Sequence, residues 1–405
     1  MGSASNAGAV VAWGGFVLAF IFGAVANRTN FCTMGAVSDV VNMGSWGRMR
    51  MWLLAIAVAI VGAHALQLAG LVDLGRSFYV RPNFTWLSYA VGGFLFGVGM
   101  TLGSGCGSKT LIRLGAGNLK SLVVFTFLGI AAYMTLKGLF AIWRVTLLDP
   151  VAIDLARAHV PRQDLPTLVA AFTGTRLAIV EPLVAGLVAL GLAAFVFKDR
   201  EFRGSFDHIL GGTVVGLVIV GGWYVTGHLG FGESPETLEE TFFGTNSHTI
   251  ESLSFVAPVG YALELLMLWT DRSLTVSFGV ATCAGVVLGS FAYAVASRTF
   301  RWEGLAGPED TANHVLGGML MGFGGVTALG CTIGQGLSGL STLAVGSIIT
   351  FASIVGGCAA AVRYQMWRIE RIDAAPAARS GARSVGGSTA SAHAPSARSA
   401  QRSAS

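Results

Sequence analysis

The chain has 405 residues, of which 53% are hydrophobic and only 12% charged; its net charge is +5 and its mean hydropathy +0.66. A water-soluble globule carries about 25% charged residues. Half that charge cannot cover a soluble surface, so the solvent is a lipid bilayer. The basic residues sit in short groups between apolar stretches, as the positive-inside rule expects, and this excludes a nucleic-acid surface as the source of the positive charge.

A spanning helix needs roughly 20 mostly apolar residues. In chain order, the stretches that meet or approach that length are 7–26, 51–72, 86–104, 120–147, 177–197, 208–227, 255–270, 274–296, 314–330 and 341–362. Some are short or interrupted by glycine, so the expectation is eight to ten crossings or partial crossings. The opening MGSASNAGAVVAWGG has no Lys or Arg and so lacks the basic n-region of a cleaved signal peptide; the first span is expected to be retained. Asn6 breaks the N-myristoylation pattern. The groups Arg48/Arg50, Lys198/Arg200/Arg203, Arg298/Arg301 and Arg363/Arg368/Arg371 mark the cytoplasmic side of an inner membrane and place the C-terminus there.

Between spans, residues 149–175 read as a soluble insertion, with Asp154, Arg157, Arg162 and Asp164 among its prolines. The run GESPETLEETFFGTNSHTIES from Gly232 reads as an acidic loop carrying a short surface helix. From Asp373 the chain is rich in Ala, Ser, Arg and Gly, which cannot bury a core, and a disordered tail is expected.

An internal repeat organises the rest. Sliding the chain by 225 positions lays Gly92-Gly93-Phe-Leu-Phe-Gly97-Val-Gly99 on Gly317-Gly318-Met-Leu-Met-Gly322-Phe-Gly324, and Gly105-Cys106 on Gly330-Cys331. Glycines alone align by composition, because small residues four apart let membrane helices approach closely. The Gly-Cys pair at the same offset argues for duplication. Two further glycine pairs, Gly14-Gly15 and Gly211-Gly212, precede these motifs. The expected fold is therefore an all-α polytopic membrane protein with two pseudo-symmetric halves and broken or re-entrant half-helices. Its expected boundaries are 1–148 for the first half, 149–175 for the insertion, 176–371 for the second half and 372–405 for the tail.

Five cysteines without a C-x-x-C suggest no disulfide framework. Three of them occupy similar places: Cys32 in NRTNFCTMGAVSD, Cys106 in LGSGCGSKTLIRLG and Cys331 in ALGCTIGQGLSG. Each stands where an apolar span gives way to small and polar residues and then resumes. Such a spot suits the tip of a broken helix, whose unpaired N–H groups and positive dipole end hold an anion. Thiols are weak, poorly hydrated donors suited to a soft sulfur acceptor, and weak binding is what conduction needs. Cys283 and Cys358, inside plain apolar spans, read as ordinary buried residues.

Lys109, one turn from Cys106, either attracts an anion by its charge or snorkels to the interface. GSGCGSKT is not a phosphate-binding loop, because Ser108 stands where that motif demands glycine. Asn30 and Gln335 flank motif cysteines and either bond anionic oxygens or cap broken helices. Glu181 reads as an ion pair at a helix start near Arg176, Glu264 as bonded to a neighbouring helix, and His64 as a packing residue.

These cysteine motifs, with LGGMLMGFGG before Cys331 and SRTF at Ser297–Phe300, resemble the YeeE/YedE family of membrane proteins, and within it the bacterial thiosulfate permeases. The likeness spans roughly residues 8–365. It implies an hourglass-shaped helical fold in which Cys32, Cys106 and Cys331 relay thiosulfate through successive S–H contacts, with no cofactor and no metal. It also implies membrane lipid surroundings and a small cytosolic TusA-like sulfur-carrier partner. Some members are tied to selenium metabolism, and GSGCGSKT departs from the run found in familiar thiosulfate permeases, a difference that bears on substrate choice.

Two other readings compete. A membrane sulfurtransferase would use a persulfide-forming cysteine, activated beside a protonated histidine or at a helix N-terminus; no histidine adjoins the motif cysteines in sequence. A soft-metal transporter would add Met or His clusters to its thiols, whereas only Met34 stands immediately beside a motif cysteine.

Overall fold

The computed structural model describes residues 2–381 apart from 234–237, 272 and 306. The chain forms two units, 1–362 and 363–405. The first holds α1 (Gly2–Arg28), α2 (Thr33–Met43), α3 (Gly47–Leu68), α4 (Trp86–Leu102), α5 (Gly107–Gly115), α6 (Leu119–Lys137), α7 (Leu139–Trp143) and α8 (Leu165–Thr173). It continues with α9 (Leu177–Phe197), α10 (Arg200–Gly204), α11 (Phe206–Tyr224), α12 (Ala257–Met267), α13 (Phe278–Ala296) and α14 (Pro308–Thr327). The last helix, α15 (Val345–Gly381), closes the first unit and supplies the described part of the second. Among the described residues, eight helical stretches are long and apolar enough to cross a membrane. The molecule is a multi-pass, all-α membrane protein.

Glycine sets how closely the helices approach. A Cβ at Gly92 would come 2.7 Å from the Gly324 carbonyl, and one at Gly324 2.6 Å from the Gly92 carbonyl. Gly99 and Gly317 block one another in the same way, at 2.8 and 2.7 Å. Backbones this close leave no room for side chains. The contact between α4 and α14 is thus antiparallel and reciprocal in the 225-residue register, since Gly92 corresponds to Gly317 and Gly99 to Gly324. The second glycine of each pair faces elsewhere: Gly93 abuts Thr350 of α15, and Gly318 abuts Val124 of α6. Elsewhere, α1 packs on α13 and α11 on α3 by the same means, through Gly285 and Gly289 against Phe16 and Phe20, and through Gly212 and Gly216 against Leu54 and Val58.

Several expected elements differ in detail. The stretch 120–147 is broken at Gly138, which caps α7, and its end is a π-helical turn over Arg144–Leu148. The stretch 255–270 yields only the 11 residues of α12, which at 1.5 Å per residue reach about half a bilayer core. The acidic run carries no surface helix among its described residues. It forms an antiparallel pair of β1 (Phe231–Glu233) and β2 (Glu240–Phe242), in which Phe231 and Phe242 pair across the strands with ring centroids 5.3 Å apart. The Ala/Ser/Arg-rich tail is helical as far as Gly381, and the rest of that expectation, 382–405, lies outside the described residues.

Residues 149–175 are stitched into the bundle. The Ile153–Asp154 strand pairs with Asn83–Phe84, the Gln163 N–H bonds the Val80 carbonyl at 3.2 Å, and the Leu165 N–H bonds the Leu343 carbonyl at 3.0 Å. Glu181 pairs with His64 across α9 and α3 at 3.4 Å, so its partner is a histidine of another helix and not Arg176. Glu264 accepts from the Tyr133 hydroxyl at 2.6 Å, tying α12 to α6 as its place in the sequence suggested.

Candidate functional site

Each motif cysteine sits on the same backbone device. A long helix ends, the second residue before the cysteine turns left-handed, and the cysteine caps the next, short helix. The left-handed residues are Asn30 (φ 51°), Ser104 (φ 57°) and Leu329 (φ 57°). Behind them run the long-range bonds of a Schellman ending: Phe31 N–H to Ala26 at 3.1 Å, Gly105 N–H to Met100 at 2.8 Å, and Gly330 N–H to Gly325 at 2.7 Å. Glycine usually takes the left-handed place, and other residues there carry strain. Three repeats of that strain, each two residues before a cysteine, make one structural signature.

The capping differs among the three. Cys32 Sγ accepts the Gly35 N–H at 3.4 Å at the head of α2. Cys331 Sγ accepts the Gly334 N–H at 3.4 Å, at the head of a helix that widens into a π-turn over Gly334–Gly339. The N–H groups of Phe255 and Ile333 also turn toward the Cys331 sulfur. Cys106 caps α5 without such a bond, and its Sγ lies 3.2 Å from the Ser108 hydroxyl. All three are buried and carry free thiols. Cys106 is near enough to both Cys32 and Cys331 for a charge on one to be felt at the other.

Basic side chains cluster beside two of the elbows. Lys109 Nζ donates to Asn30 Oδ1 at 3.2 Å, so two residues singled out from sequence meet between the Cys32 and Cys106 elbows. Arg113 donates to the Ser104 carbonyl at 2.8 Å, bracing that strained residue. Arg48, paired bidentately with Asp39, lies over Gly35 where a Cβ would collide with its guanidinium. Gln335 is engaged at the end of a broken helix, the second of the two roles its place in the sequence allowed. Its amide donates to the Ala328 carbonyl at 2.6 Å and its oxygen accepts from Ser347 at 2.5 Å, so both ends are engaged in holding the Leu329 bend to α15.

A cavity of about 330 Å³ reaches Leu329 and Gly330, next to Cys331. Its walls include Arg81, Arg144, Ser247, Glu251, Ser254 and Tyr261. Burial pushes the Glu251 carboxyl up to about 7, against the opposing effect of the Ser247 hydroxyl, which donates to it at 2.9 Å.

Sequence reasoning missed the segment that divides this cavity from the cysteines. Ser252-Leu253-Ser254-Phe255-Val256 runs largely buried and non-helical through the middle of the fold. A Cβ at Gly107, beside Cys106, would meet the Phe255 carbonyl at 3.0 Å, while the Phe255 N–H faces Cys331. Phe22 of α1 stacks on the Phe255 ring at 5.6 Å. The available signal was a serine at every second place before an apolar residue, a strand-like period just ahead of the helix expected at 255–270. Cys358 and Cys283 also stand nearer than their plain spans suggested: Cys358 accepts from Thr101 at 3.4 Å near Cys32 and Cys106, and Cys283 lies near Cys331.

Eight apolar spans, three buried cysteine elbows, a basic cluster at Lys109 and a cavity beside Cys331 are the features of a multi-pass membrane transporter. Residues 28–360 match the family model described as "Sulphur transport", and the chain belongs to that family. It is 28% identical over 344 residues to the thiosulfate transporter TsuA of Escherichia coli strain K12, covering 80% of this chain and 86% of that protein. It is 25% identical over 338 residues to the thiosulfate transporter TsuA of Spirochaeta thermophila, covering 83% and 93%.

Proposed function

We propose that the protein imports a small sulfur-containing anion, thiosulfate, by handing it along Cys331, Cys106 and Cys32 through weak S–H contacts. The observation that carries this reading is the repeated elbow: three buried thiols, each at the head of a short helix. A sulfur whose lone pair already accepts an N–H, as in Cys32 and Cys331, keeps its S–H free to donate elsewhere. Each helix head adds about half a positive charge, enough to offset part of the lost hydration without trapping the ion. The relatives named as thiosulfate transporters supply the choice of anion.

In this reading Lys109 draws the anion to a cationic mouth beside the Cys32 and Cys106 elbows and Asn30 bonds its oxygens, while Gln335 acts by fixing the Cys331 elbow. The basic groups around that mouth, Arg48/Arg50 with Lys198/Arg200/Arg203, make it the cytoplasmic end. Residues 1–148 and 176–371 act as the two transport halves, 149–175 as an external clasp and 372–405 as an appended tail. Lipid surrounds the spans, and a small TusA-like sulfur carrier takes the anion at the cytoplasmic end.

The test is growth of a bacterial cell lacking its own sulfate and thiosulfate importers, carrying this gene, on single sulfur sources. Rescue by thiosulfate is expected. Rescue by sulfate but not thiosulfate, or by neither, would sink the reading.

A further inference from the structure

The head of the Cys331 helix is surrounded by hydroxyls that the fold itself does not use. Tyr79 is 2% exposed, yet its hydroxyl has no hydrogen-bond partner. Thr332, fully buried at the first helical position, also leaves its hydroxyl unpaired. Buried polar groups left unpaired are costly and rare in native proteins.

The Tyr79 hydroxyl is aimed. A Cβ built on Gly334 would lie 3.4 Å from Tyr79 Oη and 2.6 Å from Ser254 Oγ. Gly334 is the residue whose N–H reaches the Cys331 sulfur. The phenol ring is held edge-on to Trp223 at 6.2 Å, and the Trp223 indole is anchored to Ser341 by a 2.9 Å bond at the far end of the same short helix. Ser254 also lines the cavity that ends at Gly330, so its hydroxyl joins that cavity to the head of the Cys331 helix, where the Tyr79 hydroxyl lies.

We propose that the Tyr79 and Ser254 hydroxyls form an oxygen-reading subsite: they donate to the oxygens of the anion while Cys331 meets its terminal sulfur. Such a site selects sulfur anions that carry sulfonate-type oxygens over oxygen-free sulfur or selenium anions. The inference rests on the sulfur-anion reading above and names its substrate class. Burial, with Cys331 and Glu251 nearby, holds the Tyr79 hydroxyl well above the ordinary phenol range, so it stays protonated and can donate. Gly334 keeps the place open, since any side chain there would fill it.

The experiment uses the full chain in proteoliposomes, with radiolabelled thiosulfate as substrate and hydrosulfide as oxygen-free competitor. Tyr79→Phe is expected to raise the KM for thiosulfate about tenfold or more, the effect of losing a hydrogen bond to a charged group, with the maximal rate little changed. Inhibition by hydrosulfide should be unaltered. Ser254→Ala should shift KM in the same direction by less. An unchanged KM in Tyr79→Phe, or an equal loss of hydrosulfide inhibition, overturns the proposal, the latter by revealing a packing role only. If Tyr79→Phe is not recovered folded, Ser254→Ala decides, and an unchanged KM there overturns it. Absence of thiosulfate uptake by the wild type strikes instead at the proposed function.

Discussion

Cysteine is a small hydrophobe in most buried settings, so what sets Cys32, Cys106 and Cys331 apart is position. They cap helices, whereas Cys283 and Cys358 lie within α13 and α15. Replacing any of the first three by Ala should remove most uptake of labelled thiosulfate while detergent extraction shows normal insertion. Replacing Cys283 or Cys358 should leave uptake near wild type, and equal losses in both groups would contradict the relay. Lys109→Ala should raise KM about fivefold, the effect of roughly 1 kcal/mol from one partly shielded charge, with Lys109→Arg milder. Salt added on the cytoplasmic side should weaken uptake more in the wild type than in the alanine variant. Glu251 gives a pH prediction. It is neutral below about 7 and gains a negative charge above it, facing a cavity that also holds Arg81, Arg144 and Tyr261. An anion in that cavity is therefore repelled more as pH rises, so KM should increase severalfold between roughly pH 6 and 8. Glu251→Gln should flatten that profile at the low-pH value.

At the scale of elements, the elbows store strain that their surroundings hold in place. Arg113 braces the Ser104 carbonyl and Gln335 braces Ala328 beside Leu329. Leu329→Gly relieves the left-handed conformation and should leave thermal stability unchanged or slightly higher, by up to about 1 kcal/mol. Leu329→Val should lower it, because β-branched residues resist positive φ. Thermal unfolding of the purified protein in detergent separates the two, and a fall in both would mean that the bend is not strained. The glycine faces predict the opposite pattern. Gly92→Val inserts a side chain against the Gly324 carbonyl and should cost about 1–3 kcal/mol or block folding. The sequence made these faces legible, because glycine pairs at a fixed offset leave a pattern. It did not reveal the 250–256 segment, where burial of a non-helical run depends on partners far away in the chain. Ser252 bonds the Ile219 carbonyl and Ser338 bonds the Leu253 carbonyl, satisfying backbone and side chain without a helix.

For the whole molecule, low charge and long apolar runs were enough to determine a bilayer solvent and helical spans, because unpaired backbone polar groups are not tolerated in hydrocarbon. The repeated Gly-Cys offset singled out Cys106 and Cys331, the glycine-rich break singled out Cys32, and the residue chemistry suggested Lys109 and Asn30 as companions, which meet in the fold. Local sequence could reach that far because helix propensity, glycine packing and thiol chemistry act within a few residues. Tertiary structure decided the rest. It turned Gln335 inward to hold a bend, paired Glu181 with His64, cut α12 to half a span and brought Tyr79, Ser254 and Phe255 to Cys331. Each outcome depends on which distant groups share a buried space, where an unpaired polar atom is costly and the nearest partner is set by packing and not by sequence distance.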